Sequence, residues 1–95
     1  MAALIEIAVS PADQAVFNEL DARVGQAMMD AGGPPDGLMS HVVYPVDEGF
    51  VVAEVWRAET EGRAYVDGVL APMLTDLSLT LRGTTVRDVW SFARP

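Results

Sequence analysis

Glu54 and Trp56 stand two residues apart at the end of the apolar stretch Phe50–Trp56, just ahead of the helix-opening run Ala58-Glu59-Thr60-Glu61. On a strand, residues two apart share a face. The rest of that face is Phe50 and Val52. A charge there costs roughly several kcal/mol unless it is paired, solvated or protonated. The face therefore lines a wet cavity, or Glu54 has a partner. Glu6 is a second acid in an apolar strand. If the two acids are neighbours on one face, they cannot both ionise cheaply, and Glu6 would tune Glu54 as a general acid or base. His41 is the single histidine and the one side chain that by default titrates near neutral pH. Trp56 and Tyr65 could stack on a flat ligand. The structural alternative is plain: each acid pairs with an arginine such as Arg87 or reaches solvent, and the aromatics are core.

Whether His41 can reach Glu54 depends on the hairpin between Gly37–Tyr44 and Phe50–Trp56. A four-residue loop, Val46 to Gly49, pairs Pro45 with Phe50 and sets His41 opposite Glu54. A five-residue loop pairs Tyr44 with Phe50, sets Ser40 opposite Glu54 and turns His41 away. A slip of one residue exchanges the faces.

The elements that must position these groups follow from periodicity. Leu4 to Val9 reads as a strand, with Ile5, Ile7 and Val9 on one face and Leu4, Glu6 and Ala8 on the other. Ser10-Pro11-Ala12-Asp13 opens a helix, Ser10 as cap and Pro11 in the first turn. Val16, Phe17, Leu20, Val24, Ala27, Met28 and Ala31 recur at helical spacing, and Gly32-Gly33-Pro34-Pro35 ends the run. A second helix starts near Glu59, with Tyr65, Val66, Val69, Leu70, Met73, Leu74 and Leu77 as its stripe. Pro72 should kink or split it near Val69. Arg82-Gly83 reads as a turn and Thr84 to Phe92 as the last strand.

The order βαββαβ is a ferredoxin-like α+β sandwich with a four-stranded antiparallel sheet, one domain over residues 1–95. Two helices cover one sheet face. Strands one and three are apolar on both, read as Ile5, Ile7, Val9, Val51, Ala53 and Val55 on one side and Leu4, Val52 and Trp56 on the other. A second copy packed by twofold symmetry would cover the remaining face, giving a homodimer.

Composition excludes much. A net charge of −8 disfavours nucleic acid and anionic membrane as partners. No apolar run approaches the roughly 20 residues of a membrane span, and Met1-Ala2-Ala3 leads directly into a strand with no basic segment, so a cytoplasmic location is expected. Without cysteine or lysine there is no thiol nucleophile, thiolate metal site, Schiff-base lysine or P-loop. One histidine cannot build a His-rich zinc site. Neither a metal nor a tightly bound cofactor is expected.

Gly37-Leu38-Met39-Ser40-His41, the Gly49-Phe50 turn exit, Glu54-Val55-Trp56 ahead of the second helix, and Leu70-Ala71-Pro72 together resemble the dimeric α+β barrel superfamily. The likeness is to small actinobacterial proteins related to antibiotic-biosynthesis monooxygenases. It implies two sheets forming a barrel and a ligand held between sheet and helices. The family's activities include cofactor-independent oxygenation of aromatic polyketide-like compounds, haem breakdown, isomerisation and cyclisation. Trp56 matches the strand-three tryptophan of the oxygenating and haem-degrading branches. The His-to-Trp spacing favours the register that sets His41 opposite Glu54. Haem degraders carry a histidine on the second helix, where this chain reads Arg63-Ala64-Tyr65-Val66-Asp67, and an asparagine on strand one, where it has Glu6. Haem is therefore not expected. The strand-three asparagine of some polyketide oxygenases is also missing, with Val52 in that region.

The resulting expectation is a homodimer with a cavity for a small apolar or aromatic molecule. Catalysis would rest on Glu54, His41 and Glu6, with Trp56 and Tyr65 binding substrate, in a cofactor-independent oxygenase, cyclase or isomerase. The alternative is a non-catalytic ligand-binding or structural dimer.

Overall fold

The computed structural model describes residues 1–93. Its elements run β1 (Ala2–Ser10), α1 (Gln14–Asp30), β2 (Leu38–Val46), β3 (Gly49–Trp56), α2 (Glu59–Tyr65), a π-helical turn (Val66–Leu70), α3 (Ala71–Asp76) and β4 (Thr80–Val89). The four strands form one antiparallel sheet in the order β2-β3-β1-β4. This is the expected ferredoxin-like topology.

Strand β1 alternates buried and half-buried residues along its whole length. Ile5 pairs with Glu54 and Ile7 with Val52, so Ile5, Ile7 and Val9 share the helix-covered face with Phe50, Val52, Glu54 and Trp56. Leu20 and Val24 of α1 and Val66, Leu70 and Leu74 of the second helical segment close over that face. Leu4, Glu6, Ala8, Val51, Ala53 and Val55 form the other face and remain half-buried.

The face reading of β1 against β3 is thereby corrected by one residue. Glu6 pairs with Ala53 and lies on the opposite side of the sheet from Glu54. Both strands are apolar on both faces, so alternation alone could not set their relative parity. Polar partners stand beside Glu6 on the open face. Its carboxylate accepts a hydrogen bond from the Tyr44 hydroxyl at 3.1 Å and lies 3.5 Å from the Arg87 guanidinium.

Two local readings also shift, and a third takes a particular form. The cap of α1 is Asp13, whose carboxylate accepts from the Val16 N–H at 3.1 Å, while Ser10 still pairs with Thr80 in the sheet. Arg82-Gly83 is not a turn. It lies inside β4, which opens at Thr80, and the ladder shifts register there between Ala8 and Val9. The split expected near Val69 takes the form of a π-helical turn at Val66–Leu70, which parts α2 from α3 without ending the helical run. The Ala71 N–H reaches back to the Val66 carbonyl, and this wide turn accommodates the proline that follows.

Gly62 lets the helix approach the sheet. A Cβ at this position would lie 2.5 Å from Ile5 Cδ1 and 2.7 Å from the Trp56 ring.

Candidate functional site

The β2–β3 hairpin sets the site. Val46 pairs with Gly49, Pro45 with Phe50, and His41 with Glu54. The register that brings His41 to Glu54 is the one present. Residues 47 and 48 make the tight turn, and the ladder shifts between Leu38 and Ser40.

On the helix-covered face, His41 Nδ1 and Glu54 Oε2 are 2.9 Å apart. The carboxyl of Glu54 is 1% exposed and the imidazole 34% exposed. One partner is therefore sealed in the core while the other reaches solvent. The imidazole pKa is held above its ordinary value, chiefly by the hydrogen bond to Glu54. Burial opposes this, and the charges of Glu54 and Asp21 add to the rise. Asp21, on α1, has no part in the sequence reading. Its place between Leu20 and Val24, at the edge of the apolar stripe, is the one hint that it overhangs the sheet.

Three buried polar atoms on this side have no hydrogen-bond partner among the described residues: Glu54 Oε1, Trp56 Nε1 and the Tyr65 hydroxyl. Unpaired buried donors and acceptors are uncommon and mark places where water or a ligand completes the bonding. Trp56 is fully buried, and its ring lies 5.5 Å from that of Tyr65. The Tyr65 hydroxyl holds its proton above the ordinary tyrosine range, first through burial and then through the charge of Glu54.

Two grooves open beside these groups. One, of about 470 Å³, runs between α1 and β2, with His41, Asp21, Val24, Met28 and Leu38 in its walls. The other, of about 350 Å³, is bounded by the end of α1, residues 33–36, Tyr65 and Val69. Of the five residues expected at the site, His41, Glu54, Trp56 and Tyr65 lie on this side of the sheet. Trp56 stands behind Tyr65 and lines neither groove. Glu6 does not join them, because the sheet lies between it and Glu54. No cluster of three or more His, Cys, Asp or Glu side chains disposed to hold a metal occurs among the described residues.

No protein-family profile matches the chain, and no curated protein matches it by sequence. Similar solved structures do exist. SnoaB, a cofactor-independent oxygenase from Streptomyces nogalater, superposes with a TM-score of 0.62 at 18% identity, over 96% of this chain and 93% of its own. A candidate antibiotic biosynthesis monooxygenase from Deinococcus radiodurans gives 0.61 at 15% identity, over 100% and 98%. Rv0793 from Mycobacterium tuberculosis gives 0.58 at 17% identity, over 98% of each chain. At these identities the likeness is one of fold: the chain has the ferredoxin-like α+β fold that these structures share. No helix among the described residues is long and apolar enough to cross a membrane.

Proposed function

We propose that this chain is a small-molecule enzyme that moves protons on an apolar or aromatic compound through the His41–Glu54 pair, without a metal or organic cofactor. The observation that carries this is the 2.9 Å contact between a sealed carboxylate and an imidazole that opens into a groove. With Nδ1–H donated to Glu54, Nε2 keeps its lone pair free to act as a base. The carboxylate then stabilises the imidazolium that forms. A proton taken from a phenol, or from carbon beside a carbonyl, leaves a phenolate or carbanion. Returning that proton at another carbon is an isomerisation, and attack of the carbanion on an internal carbonyl is a cyclisation.

Oxygenation needs dioxygen as the only co-reactant. The carbanion passes one electron to dioxygen, and the radical pair joins as a peroxide. His41 returns the proton, and loss of water leaves a carbonyl. A CH₂ group and one dioxygen thus become C=O and water. The fold likeness to SnoaB, described as a cofactor-independent oxygenase, supports including this branch.

A direct test uses 2-tetralone, an aromatic ketone with acidic C–H bonds, in deuterium oxide. Loss of its C1 proton signal by NMR should be faster with the protein than with equimolar imidazole. His41→Gln should slow it by about 10² or more. A wild-type rate no better than imidazole would leave the chain as a non-catalytic binder, and an unimpaired variant would show that the proton does not pass through His41. An oxygen electrode run in parallel reports the oxygenation branch.

The same reading includes a homodimer formed through the open sheet face. Val55, opposite Leu4 on the two central strands of that face, is its probe. Wild-type protein should scatter light as a dimer at micromolar concentration. Val55→Asp should run as a monomer, because a carboxylate would have to be desolvated between the sheets. A monomeric wild type, or a dimer unaffected by the substitution, would refute this.

A further inference from the structure

The two grooves beside the candidate site share a wall. Met28 and Pro34 line both. On one side of this pair lies the imidazole of His41, on the other the ring of Tyr65. Glu54 links the two ends from below, bonded to His41 and near enough to Tyr65 for its charge to act there.

The Tyr65 hydroxyl is the second observation. The residue is 8% exposed and lines the 350 Å³ groove, and its oxygen is buried with no partner among the described residues. A phenol buried in this way and left unpaired is a donor awaiting an acceptor. Apart from His41 and Ser40 the side chains on the walls are mostly apolar, and the acidic groups on them are Asp21 near His41 and Asp36 near Tyr65. Among the described residues no arginine lines either groove, and at the Tyr65 end Asp36 would repel an anion with no cation beside it.

From this arrangement we infer that the grooves are two halves of one cleft for a flat, uncharged, two-ended molecule. Its reacting group sits at His41, its apolar body passes beneath Met28 and Pro34, and a hydroxyl or carbonyl at the far end bonds the Tyr65 hydroxyl. Tyr65 is thus a specificity-determining residue. This rests on the proton-transfer reading for the His41 end, while the Tyr65 end is tested separately.

The probes are 2,6-dihydroxynaphthalene, which is polar at both ends, 2-naphthol, polar at one end, and 6-hydroxy-2-naphthoate, whose far end is an anion. Calorimetric titration of the wild-type protein should show the diol binding about fivefold to tenfold more tightly than 2-naphthol, the worth of one neutral hydrogen bond. The naphthoate should bind more weakly than the diol. Tyr65→Phe keeps the ring, removes only the unpaired oxygen and should fold normally. It should erase the preference for the diol and leave 2-naphthol affinity unchanged. His41→Gln should weaken both naphthols alike.

Equal binding of diol and 2-naphthol, a preference that survives Tyr65→Phe, or a naphthoate that binds as well as the diol would overturn the two-ended cleft. Absence of binding by both naphthols would overturn it too. If His41→Gln weakens 2-naphthol binding while Tyr65→Phe changes nothing, the cleft inference alone has failed. If the Tyr65 effect holds but His41→Gln affects neither ligand binding nor proton exchange, the proton-transfer reading has failed instead.

Discussion

Gly49→Ala should leave the chain largely unfolded at 25 °C. The added Cβ would overlap the Val9 carbonyl oxygen at far less than contact distance, and would lie 2.8 Å from the Val9 carbonyl carbon and 3.0 Å from Ser10 Cα. Those are backbone atoms of the neighbouring strand. They cannot rotate aside as a flexible side chain would. Val9 pairs with Phe50 at this end of the β1–β3 ladder, so relieving the clash means parting the two central strands. Overpacking usually costs about 1–3 kcal/mol when side chains can give way. A backbone collision should exceed that, against a total stability of roughly 5–10 kcal/mol for a domain of this size. Gly25→Ala is the control. It stands exposed in α1 with nothing within 4 Å of an added Cβ, and should gain about 0.5–1 kcal/mol from helix propensity. Urea titrations followed by circular dichroism compare the two. A Gly49→Ala transition within about 1 kcal/mol of wild type would show that the strands can part cheaply here.

His41→Ala should be the most damaging change at the candidate site itself. It removes the one hydrogen-bond partner of Glu54 among the described residues and leaves both carboxylate oxygens buried and unpaired. Orphaning a buried charged acceptor costs about 2–3 kcal/mol, less where water can enter beside it. His41→Gln keeps a donor and should recover part of this loss. The pair also gives stability a pH dependence of definite sign. The His41 pKa is raised in the fold above the unfolded value of about 6.5. The wild-type advantage over His41→Gln should therefore be complete below about pH 6.5. It should fade as pH rises through the higher folded value. Thermal melts of both proteins between pH 5 and pH 9 measure it. An advantage that grows with pH would mean that the neutral imidazole, rather than the imidazolium, is the form the fold favours.

The fold was legible in the sequence because its elements carry their own signals. The helical stripe of Val16 to Ala31, its Gly-Gly-Pro-Pro stop, and the acid turn between two apolar strands each admit one reading. The sequence left two hairpin lengths open, and only the resemblance favoured the one that sets His41 opposite Glu54; the structure, with its turn at residues 47 and 48, has that register. Glu6 was misplaced for a physical reason. No hairpin joins β1 to β3, so no turn fixes their relative register, and two doubly apolar strands present equally good faces. Asp13 displaced Ser10 as the cap because the first strand runs on through Ser10. The unpartnered Tyr65 hydroxyl could not be foreseen. Whether a phenol in an apolar stripe finds a partner depends on what crosses above it, here the chain through residues 33–36.

The π turn at Val66–Leu70 makes the second helix a phase adjuster. In a regular α-helix, four residues overshoot a full turn by roughly 40°, so Val66, Leu70 and Leu74 would drift steadily around the axis. All three are nevertheless buried on the sheet side. The wider turn takes back part of the overshoot and keeps the far end of the helix facing the same way as Tyr65. Length in this segment therefore carries information that residue identity does not. Removing one residue between 66 and 70 would let the wide turn close to a regular α-helical one with the phase of Tyr65 and Leu74 kept, whereas inserting one more would swing Tyr65 by about 100° relative to Leu74. The core would then have to choose between them. The surface loop at residues 32–37 bears no such phase relation, so a one-residue insertion is better tolerated there than in a helix that looks more regular.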